Sequence, residues 1–421
     1  MPSHRKVRGS MTRWTSWFFG LVAAAAPLAA QTPEEVPATG SSVEQIRQEL
    51  ADLKSEYERR IADLERRLEA LSAGSAAPPV ETPQIAEVPP AAAPAQTSNY
   101  FNPAISLIGN FLAVGGKNRV EDLPSSSFRE SELGIQSIID PYAKADVFLA
   151  FGEEGVEVEE GYATFTALPA DLLLRVGKMR VGFGKVNTLH LHTLPWPDQP
   201  LTTVNLLGGD EGWLGTGVSI ARLLPIGDTF TEATVQVFRG EAEGLFEANK
   251  RSDLAYNGHY RVFRDLTEAS NLDLGVSYGR GPNGTADGND TELSGLDFTY
   301  RWKPLQTASY RSATVRGEVV RSRREQIGGR EDALGWFLSG DYQLAKRWGV
   351  GARFESAEHA DDGSLRDTGQ ALLLTFSPSE FLALRSELRR RRFDLGDRAE
   401  IANELLLQLQ FAIGAHGAHP F

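Results

Sequence analysis

The stretch Leu272-Asp273-Leu274-Gly275-Val276-Ser277-Tyr278 alternates apolar residues with small or polar ones at every position. The stretch Leu296-Asp-Phe-Thr-Tyr-Arg-Trp302 repeats the pattern about twenty residues later. Successive side chains of a β-strand point to opposite faces, so each stretch forms a strand with one apolar face and one polar face. This pattern decides the fold, because it continues to the end of the chain.

About sixteen such segments follow one another from Asn102 onward, and short and long links alternate between them. Strands of roughly ten residues joined in this way predict an all-β, transmembrane antiparallel barrel of about 16 strands, with both ends on the periplasmic side. A soluble sandwich or propeller is the alternative, but no segment repeats at a fixed blade period. The predicted strands are 103–114, 130–139, 144–153, 156–167, 172–183, 213–224, 230–240, 253–264, 272–281, 291–302, 310–323, 333–344, 347–357, 368–377, 380–392 and 402–414.

The first thirty residues have the pattern of a secretory signal peptide (1–30). Basic residues precede an apolar run from Trp17 to Ala26, and small residues precede Gln31. The run is too short to span a bilayer, which disfavours a membrane anchor. The chain starts at Met1 or at Met11, and the mature protein is expected to begin near Gln31, in the periplasm.

Two further segments precede the barrel, which is predicted over 102–421. Residues 42–73 carry apolar residues from Val43 to Leu71 at steps of three and four, which predicts a coiled-coil helix. A step of four at Tyr57 interrupts the heptad. A single amphipathic helix lying on the barrel is the alternative. Residues 74–101, rich in Ala and Pro, predict a flexible linker.

Composition excludes several classes of function. The formal net charge of -13 argues against nucleic acid as a partner. The absence of cysteine excludes disulfides and thiolate metal sites. The sequence contains no phosphate-binding glycine loop, no zinc signature and no evident nucleophile–His–acid spacing. No enzyme activity and no cofactor are therefore predicted.

The link 184–212, after the fifth strand, is the longest in the barrel and contains Lys185, His190, His192 and Trp196. Its aromatic and proline content favours an ordered loop. A loop folded into the lumen narrows it, and the side chains at such a constriction set what passes. Lys185, His190 and His192 are therefore predicted to line the constriction.

The motif Leu174-Arg-Val-Gly-Lys-Met-Arg-Val-Gly-Phe-Gly184 resembles the fifth-strand motif of the phosphate-selective porin O/P-like family. That resemblance implies a trimeric sixteen-stranded porin with a periplasmic coiled coil, whose third loop enters the pore and whose basic lumen residues guide oxyanions. By motif position it assigns Arg175, Lys178 and Arg180 to the pore. In a regular strand, Arg175 would face the side opposite to Lys178 and Arg180. All three can therefore face inward only if a bulge or bend intervenes near Gly177.

The polar faces of the later strands carry both signs of charge. Acidic residues such as Asp273 and Glu318 share these faces with arginines, so the ion preference of the lumen is open between an anion-favouring and a weakly selective pore. The acidic pairs Glu153-Glu154 and Glu159-Glu160 are interpreted as loop charges. The arginines assigned to the pore are Arg316, Arg353, Arg385 and Arg389.

Two clusters have alternative interpretations. The run from Arg389 to Arg392 predicts a basic rim that attracts lipopolysaccharide phosphates or incoming anions, or one that is simply solvated. His416 and His419 are weak candidate metal ligands, and the alternative is a terminal segment read by the barrel-insertion machinery. His190 and His192 are a second candidate pair.

These observations predict an outer-membrane porin, working as a homotrimer, that gives passive diffusion of small hydrophilic solutes or ions. Its lumen is expected to be either weakly selective or mildly anion- or phosphate-favouring. The alternative is a structural tether that links the barrel to the cell wall through the periplasmic coiled coil. The expected partners are outer-membrane lipid and lipopolysaccharide, small solutes or anions, other copies of the chain and the insertion machinery.

Overall fold

A computed structural model describes Arg59 and residues 103–121, 123–152 and 155–414. The chain divides into two units, Met1–Ala93 and Pro94–Phe421. The second unit contains a closed barrel of sixteen strands, which confirms the predicted fold class and strand count. The predicted signal peptide, coiled coil and linker lie outside the described residues, apart from Arg59, which is helical. His416 and His419 also lie outside them.

The strands follow one another around the barrel in chain order. They are β1 (Ala104–Lys117), β2 (Ser126–Asp140), β3 (Ala143–Gly152), β4 (Gly155–Phe165), β5 (Leu172–Arg180), β6 (Leu214–Leu223), β7 (Thr229–Arg239), β8 (Leu254–Thr267), β9 (Ser270–Pro282), β10 (Asp290–Trp302), β11 (Ala313–Gln326), β12 (Gly329–Ala345), β13 (Trp348–Glu358), β14 (Arg366–Ser379), β15 (Leu382–Asp394) and β16 (Ala399–Gly414).

The barrel closes where the first strand meets the last. β1 pairs antiparallel with β16 in an unbroken register from Ser106↔Gly414 to Lys117↔Asn403. Closure leaves no unpaired sheet edge, so the backbone groups of every strand find partners inside the wall. A cylinder of this kind can present an apolar band to lipid without exposing unpaired backbone groups.

The alternation of β9 fixes which face is outside. Leu274, Val276 and Tyr278 are 43%, 54% and 49% exposed, whereas Asp273 and Ser277 are each 2% exposed. The apolar side chains therefore cover the outer surface and the polar ones point into the barrel. This arrangement is the reverse of a soluble domain and is typical of a barrel with a polar interior.

Several strand boundaries and one loop assignment differ from the predicted ones. β11 begins at Ala313 and not at 310, because Thr307 and Tyr310 form turns whose N–H groups donate to Pro304 O and Thr307 O at 3.1 and 2.8 Å. β14 continues through Pro378 to Ser379, so the turn falls at 380–381. Glu159 and Glu160 are buried residues of β4 and not loop charges, which corrects the sequence interpretation.

Between β5 and β6 the chain leaves the wall as an inner loop, residues 181–213. It contains 3-10 turns at Val186–Thr188, Leu191–Thr193 and Gly209–Glu211, and one short helix, α1 (Leu201–Leu206). No helix among the described residues is both long and apolar enough to cross a membrane.

Candidate functional site

The inner loop lies within the barrel and packs against the far wall. Trp196 and Leu194 are fully buried, and the Trp196 ring meets Phe337 of β12 edge-on with centroids 5.4 Å apart. At the other end, Trp213 packs against Phe246 with centroids 4.9 Å apart. Burying these indoles removes a large apolar area from water, which fixes both ends of the loop. The long link predicted at 184–212 thus folds into the lumen.

Asp198 is the central polar anchor of the loop. Its carboxylate accepts hydrogen bonds from Arg353 of β13 at 2.7 Å and from Arg389 and Arg391 of β15 at 2.8 Å each. Burial alone would raise the pKa of Asp198, but the guanidinium groups of Arg353, Arg391 and Arg389 outweigh it and hold the pKa below its usual value. Asp198 therefore remains an anion inside the barrel.

Backbone groups of the loop are also held by acids of the wall. Glu318 Oε1 accepts the N–H groups of Lys185 and Val186 at 2.6 and 2.7 Å. Glu355 accepts the N–H of Leu201 at 3.0 Å, where α1 begins. Buried donors of an irregular segment need such partners, because an unpaired amide in this interior is costly.

His190 joins the loop to the near wall. Its Nδ1 lies 2.7 Å from Glu132 of β2 and 3.1 Å from Glu159, and its Nε2 lies 2.8 Å from Glu160 of β4. Burial opposes the charged imidazole, but the hydrogen bonds to Glu132, Glu159 and Glu160 outweigh it and raise the pKa of His190 well above its usual value. The Nδ1 of His192 lies 3.4 Å from Glu132. Among the described residues, Glu132, His190 and His192 form the one group whose ligand atoms converge closely enough to hold a metal ion.

Among the cavities between the loop and the wall, two have Lys185 as a lining residue. The first, of about 350 Å³, is lined by basic residues of β10, β11 and β15, namely Arg301, Arg316 and Arg385. The second, of about 290 Å³, is lined by Arg175, Arg180 and Arg261 among others. Burial and the neighbouring guanidinium groups of Arg261 and Arg301 lower the pKa of Lys185, while Asp273 opposes them.

The cavity-lining cations differ in how far acids neutralise them. Arg316 pairs with Asp341 at 2.6 Å, and Lys185 lies 3.5 Å from Asp273. Within the described part of the chain, Arg301 and Arg385 have no carboxylate at ion-pair distance. Arg385 donates instead to the amide oxygens of Gln408 and Gln410, at 2.9 and 3.0 Å. The first cavity therefore has a wall of positive potential.

The three residues assigned by the fifth-strand motif separate in the structure. Arg175 lines the second cavity and lies over the Tyr162 ring, with its guanidinium carbon 5.4 Å from the centroid. Lys178 has the opposite parity and pairs with Glu157 at 3.0 Å. Arg180 ends β5, where the chain turns inward, and pairs with Glu159.

The bulge or bend that all three residues would need in order to face inward does not occur near Gly177. Gly177 has a φ of 144°, but the register between β4 and β5 is continuous from Phe165↔Leu174 to Gly161↔Lys178. Because nothing shifts the parity of β5 before Lys178, Arg175 and Lys178 point to opposite faces.

The predicted arginines of the later strands all point inward, but they divide into two sets. Arg316 and Arg385 line a cavity, whereas Arg353 and Arg389 are covered by the loop and bound to Asp198. The run from Arg389 to Arg392 is not one basic rim. Its members alternate, with Arg389 and Arg391 buried and Arg390 and Arg392 exposed on the outer side.

Sequence reasoning missed the partners of the loop. Asp198 is an acid between two prolines in a loop predicted to enter the lumen. That position in the sequence is the one indication that it could bind a basic residue of the barrel wall. Glu132 has no comparable signal in the sequence. Its contact with His190 depends on the order of β2, β3 and β4 in the barrel and on a loop residue almost sixty positions later in the chain.

Comparisons with known proteins agree with this architecture. No protein-family model matches the chain. An "Uncharacterized protein" of Aquifex aeolicus (strain VF5) is 28% identical over 329 residues, which are 69% of this chain and 69% of that protein. The similarity thus extends over most of both sequences.

Solved structures with similar folds are outer-membrane barrels. An anion-selective porin from Comamonas acidovorans superposes with a TM-score of 0.51 at 13% identity, over 74% of this chain and 100% of that one. OprB of Pseudomonas putida, in its high-pH structure, gives 0.53 at 10%, over 75% and 94%. OmpT of Vibrio cholerae, an outer membrane protein in a trimer form, gives 0.50 at 11%, over 74% and 99%. At these identities the likeness establishes the fold, which is the sixteen-stranded barrel of outer-membrane porins.

Proposed function

We propose that this protein is an outer-membrane channel for passive diffusion of small hydrophilic solutes and ions, with a preference for anions. The observation that carries the proposal is the inner loop, held across a closed barrel by Asp198 while the cavities beside it keep basic walls. A loop that narrows a water-filled barrel is the arrangement by which a pore selects small solutes.

The anion preference follows from the charges that border the cavities. Arg301 and Arg385 line the first cavity, and neither forms an ion pair with an acid among the described residues. Arg385 hydrogen-bonds an amide oxygen instead. Uncompensated guanidinium groups in a low-dielectric channel attract anions more strongly than the same groups on an open surface. Asp198 is paired with arginines. Glu318 lines the first cavity and offsets part of the potential, but Lys185, Arg301, Arg316 and Arg385 line it as well.

The finer predictions from sequence belong to the same proposal. A phosphate preference rests on the fifth-strand motif and on Arg175, and a homotrimer rests on the predicted coiled coil. The trimer form of the OmpT structure supports the second. The outer membrane as the location is supported by the apolar exterior of the barrel.

A structural tether is the second candidate function, and the predicted coiled coil and linker favour it. It does not need a loop-narrowed, cation-lined lumen. Recording from planar lipid bilayers separates the two candidates. The purified protein is expected to add stepwise conductance that increases with salt concentration, and the detergent buffer alone is the control. A correctly folded barrel that inserts but conducts no ions would contradict the channel proposal.

A further inference from the structure

We propose that Glu132, His190 and His192 form a binding site for a divalent transition-metal cation such as Zn²⁺, which joins the inner loop to β2. This inference goes beyond the channel proposal and does not depend on it, because the site lies on the loop–wall contact and not on the cationic cavity walls.

The spacing of the ligand atoms suits such an ion. Glu132 Oε2 lies 2.7 Å from His190 Nδ1 and 3.4 Å from His192 Nδ1, and His190 Nδ1 lies 3.1 Å from Glu159 Oε2. Zinc binds imidazole and carboxylate at about 2.0–2.2 Å, so the ligand atoms of a tetrahedral site are about 3.3 Å apart. The two separations from Glu132 lie on either side of this value, and the three ligand atoms all lie within 4.8 Å of one another.

The charge of the cluster also suits a cation. The carboxyl groups of Glu132, Glu159 and Glu160 are all buried, and the buried guanidinium of Arg180 pairs with Glu159. Three acidic side chains thus lie near one buried guanidinium, and excess negative charge in a buried site is costly unless a cation offsets it.

The types of ligand define which metal fits. Two imidazoles with carboxylates favour Zn²⁺, Ni²⁺ or Cu²⁺, whereas Mg²⁺ and Ca²⁺ prefer sites made of oxygen atoms alone. His190 and Glu160 border the cavity of about 290 Å³, and Glu159 and Arg180 border a third cavity of about 550 Å³. The cluster therefore lies beside open space through which an ion reaches it.

The ion would have a structural role. His190 and His192 belong to the loop, while Glu132 belongs to β2 of the wall, so a bound metal bridges the two. A cation that binds the folded state alone stabilises it by mass action. Zinc is therefore expected to raise the unfolding temperature of the barrel and to steady the loop.

Zinc titration of the full-length protein tests the inference. The detergent-solubilised protein is freed of metal with a chelator, and zinc binding is measured by calorimetry and by competition with a chromogenic chelator. One ion per chain is expected with micromolar or tighter affinity, and Ca²⁺ is expected not to compete. Glu132→Gln and His192→Gln are each expected to weaken zinc binding at least tenfold, because each substitution removes a proposed ligand.

Two controls make the result decisive. His259→Gln removes an imidazole elsewhere in the lumen, which hydrogen-bonds Ser277 at 2.8 Å, and should leave zinc affinity unchanged. A double variant, His416→Gln with His419→Gln, removes the terminal histidines and should also retain binding. His192→Gln provides the test if Glu132→Gln fails to fold. The inference is overturned if the protein binds no zinc at one hundred micromolar, if Glu132→Gln and His192→Gln bind it as the wild type does, or if only the terminal double variant loses it.

Discussion

Arg353 of β13 donates a 2.7 Å hydrogen bond from Nη2 to Oδ1 of Asp198, which lies 155 residues earlier in the inner loop. The Arg353 side chain is entirely buried, and its guanidinium carbon lies 5.0 Å from the centroid of the Trp196 ring. One contact thus ties the loop to the opposite wall through a salt bridge and an aromatic face. Stability of the barrel and shape of the lumen are coupled at this point.

Replacement of Asp198 by Asn should release that anchor. Asp198→Asn leaves Arg353, Arg389 and Arg391 with one fewer buried carboxylate, and losing one partner of a buried ion pair costs about 3 kcal/mol. We expect a lower unfolding temperature, followed by heat-dependent gel mobility, and noisier single-channel currents. Asp287→Asn is the matched control, since Asp287 pairs with Lys250 on the exposed surface and should change stability by less than about 1 kcal/mol. Equal effects of the two substitutions would show that Asp198 is no anchor.

The stabilisation by Asp198 should also depend on pH in a defined direction. The pKa of Asp198 is lowered in the folded state, so its stabilisation is present at pH values above the unfolded pKa of about 3.9 and is lost only as pH falls below it. Wild type and Asp198→Asn should therefore differ in unfolding temperature throughout neutral pH and converge in strong acid. A difference that disappears between pH 8 and pH 6 would contradict this assignment.

Removing the uncompensated cations should reduce the anion preference. Arg301→Gln and Arg385→Gln each delete a positive charge from the wall of the 350 Å³ cavity without leaving a paired acid behind. We expect each variant to move the reversal potential in a salt gradient toward zero, and the double variant to move it further. Arg330→Gln, at an exposed strand end, is the control and should leave the reversal potential unchanged. An unaltered preference in the double variant would remove these residues from the selectivity mechanism.

Lys185 should make that preference sensitive to alkaline pH. Burial, with Arg261 and Arg301, lowers its pKa, so Lys185 loses its positive charge at a lower pH than an exposed lysine does. Anion preference should therefore decline as pH rises toward 10. Lys185→Gln should show a smaller preference at neutral pH and lose this decline. If the decline of anion preference with rising pH persists in Lys185→Gln, a group other than Lys185 causes it.

Gly177 should resist substitution although no bulge forms there. Its φ of 144° disfavours any side chain, and an added Cβ would lie 2.6 Å from Tyr162 Cα. Gly177→Ala is expected to destabilise the barrel by about 1–3 kcal/mol, the range for a strained backbone position. Gly258→Ala is the comparison, since an added Cβ there meets nothing within 4 Å. Similar unfolding temperatures for the two variants would disprove the strain at Gly177.

Much of the barrel could be predicted because each strand is defined by the residues of its own short stretch of sequence. A period of two along β9 and β10 is enough to define a strand and its two faces, and alternating link lengths give the topology. β11 was placed too early because apolar Tyr310 extends the alternation into a turn that is set by Pro304. At this position the proline and the hydrogen bonds of the turn keep the chain out of the strand, although the alternation of apolar residues continues.

The site could be predicted only in part because its contacts join distant parts of the chain. Strand parity places Arg316 and Arg385 on the inner face, where both line a cavity, but it could not show that the loop covers Arg353 and Arg389. That distinction depends on where Asp198 lies once the loop has folded, 191 residues before its partner Arg389. Likewise, motif position alone could not separate Lys178 from Arg175, since the outcome depends on an unbroken register with β4.

The reversal potential of the wild-type protein in a tenfold potassium chloride gradient tests the central claim most directly. A narrowed, water-filled barrel with uncompensated arginines should conduct, and its zero-current potential should have the sign that chloride permeation sets. A folded, inserted protein that carries no current, or one whose potential has the sign set by potassium, would contradict the account of an anion-favouring channel.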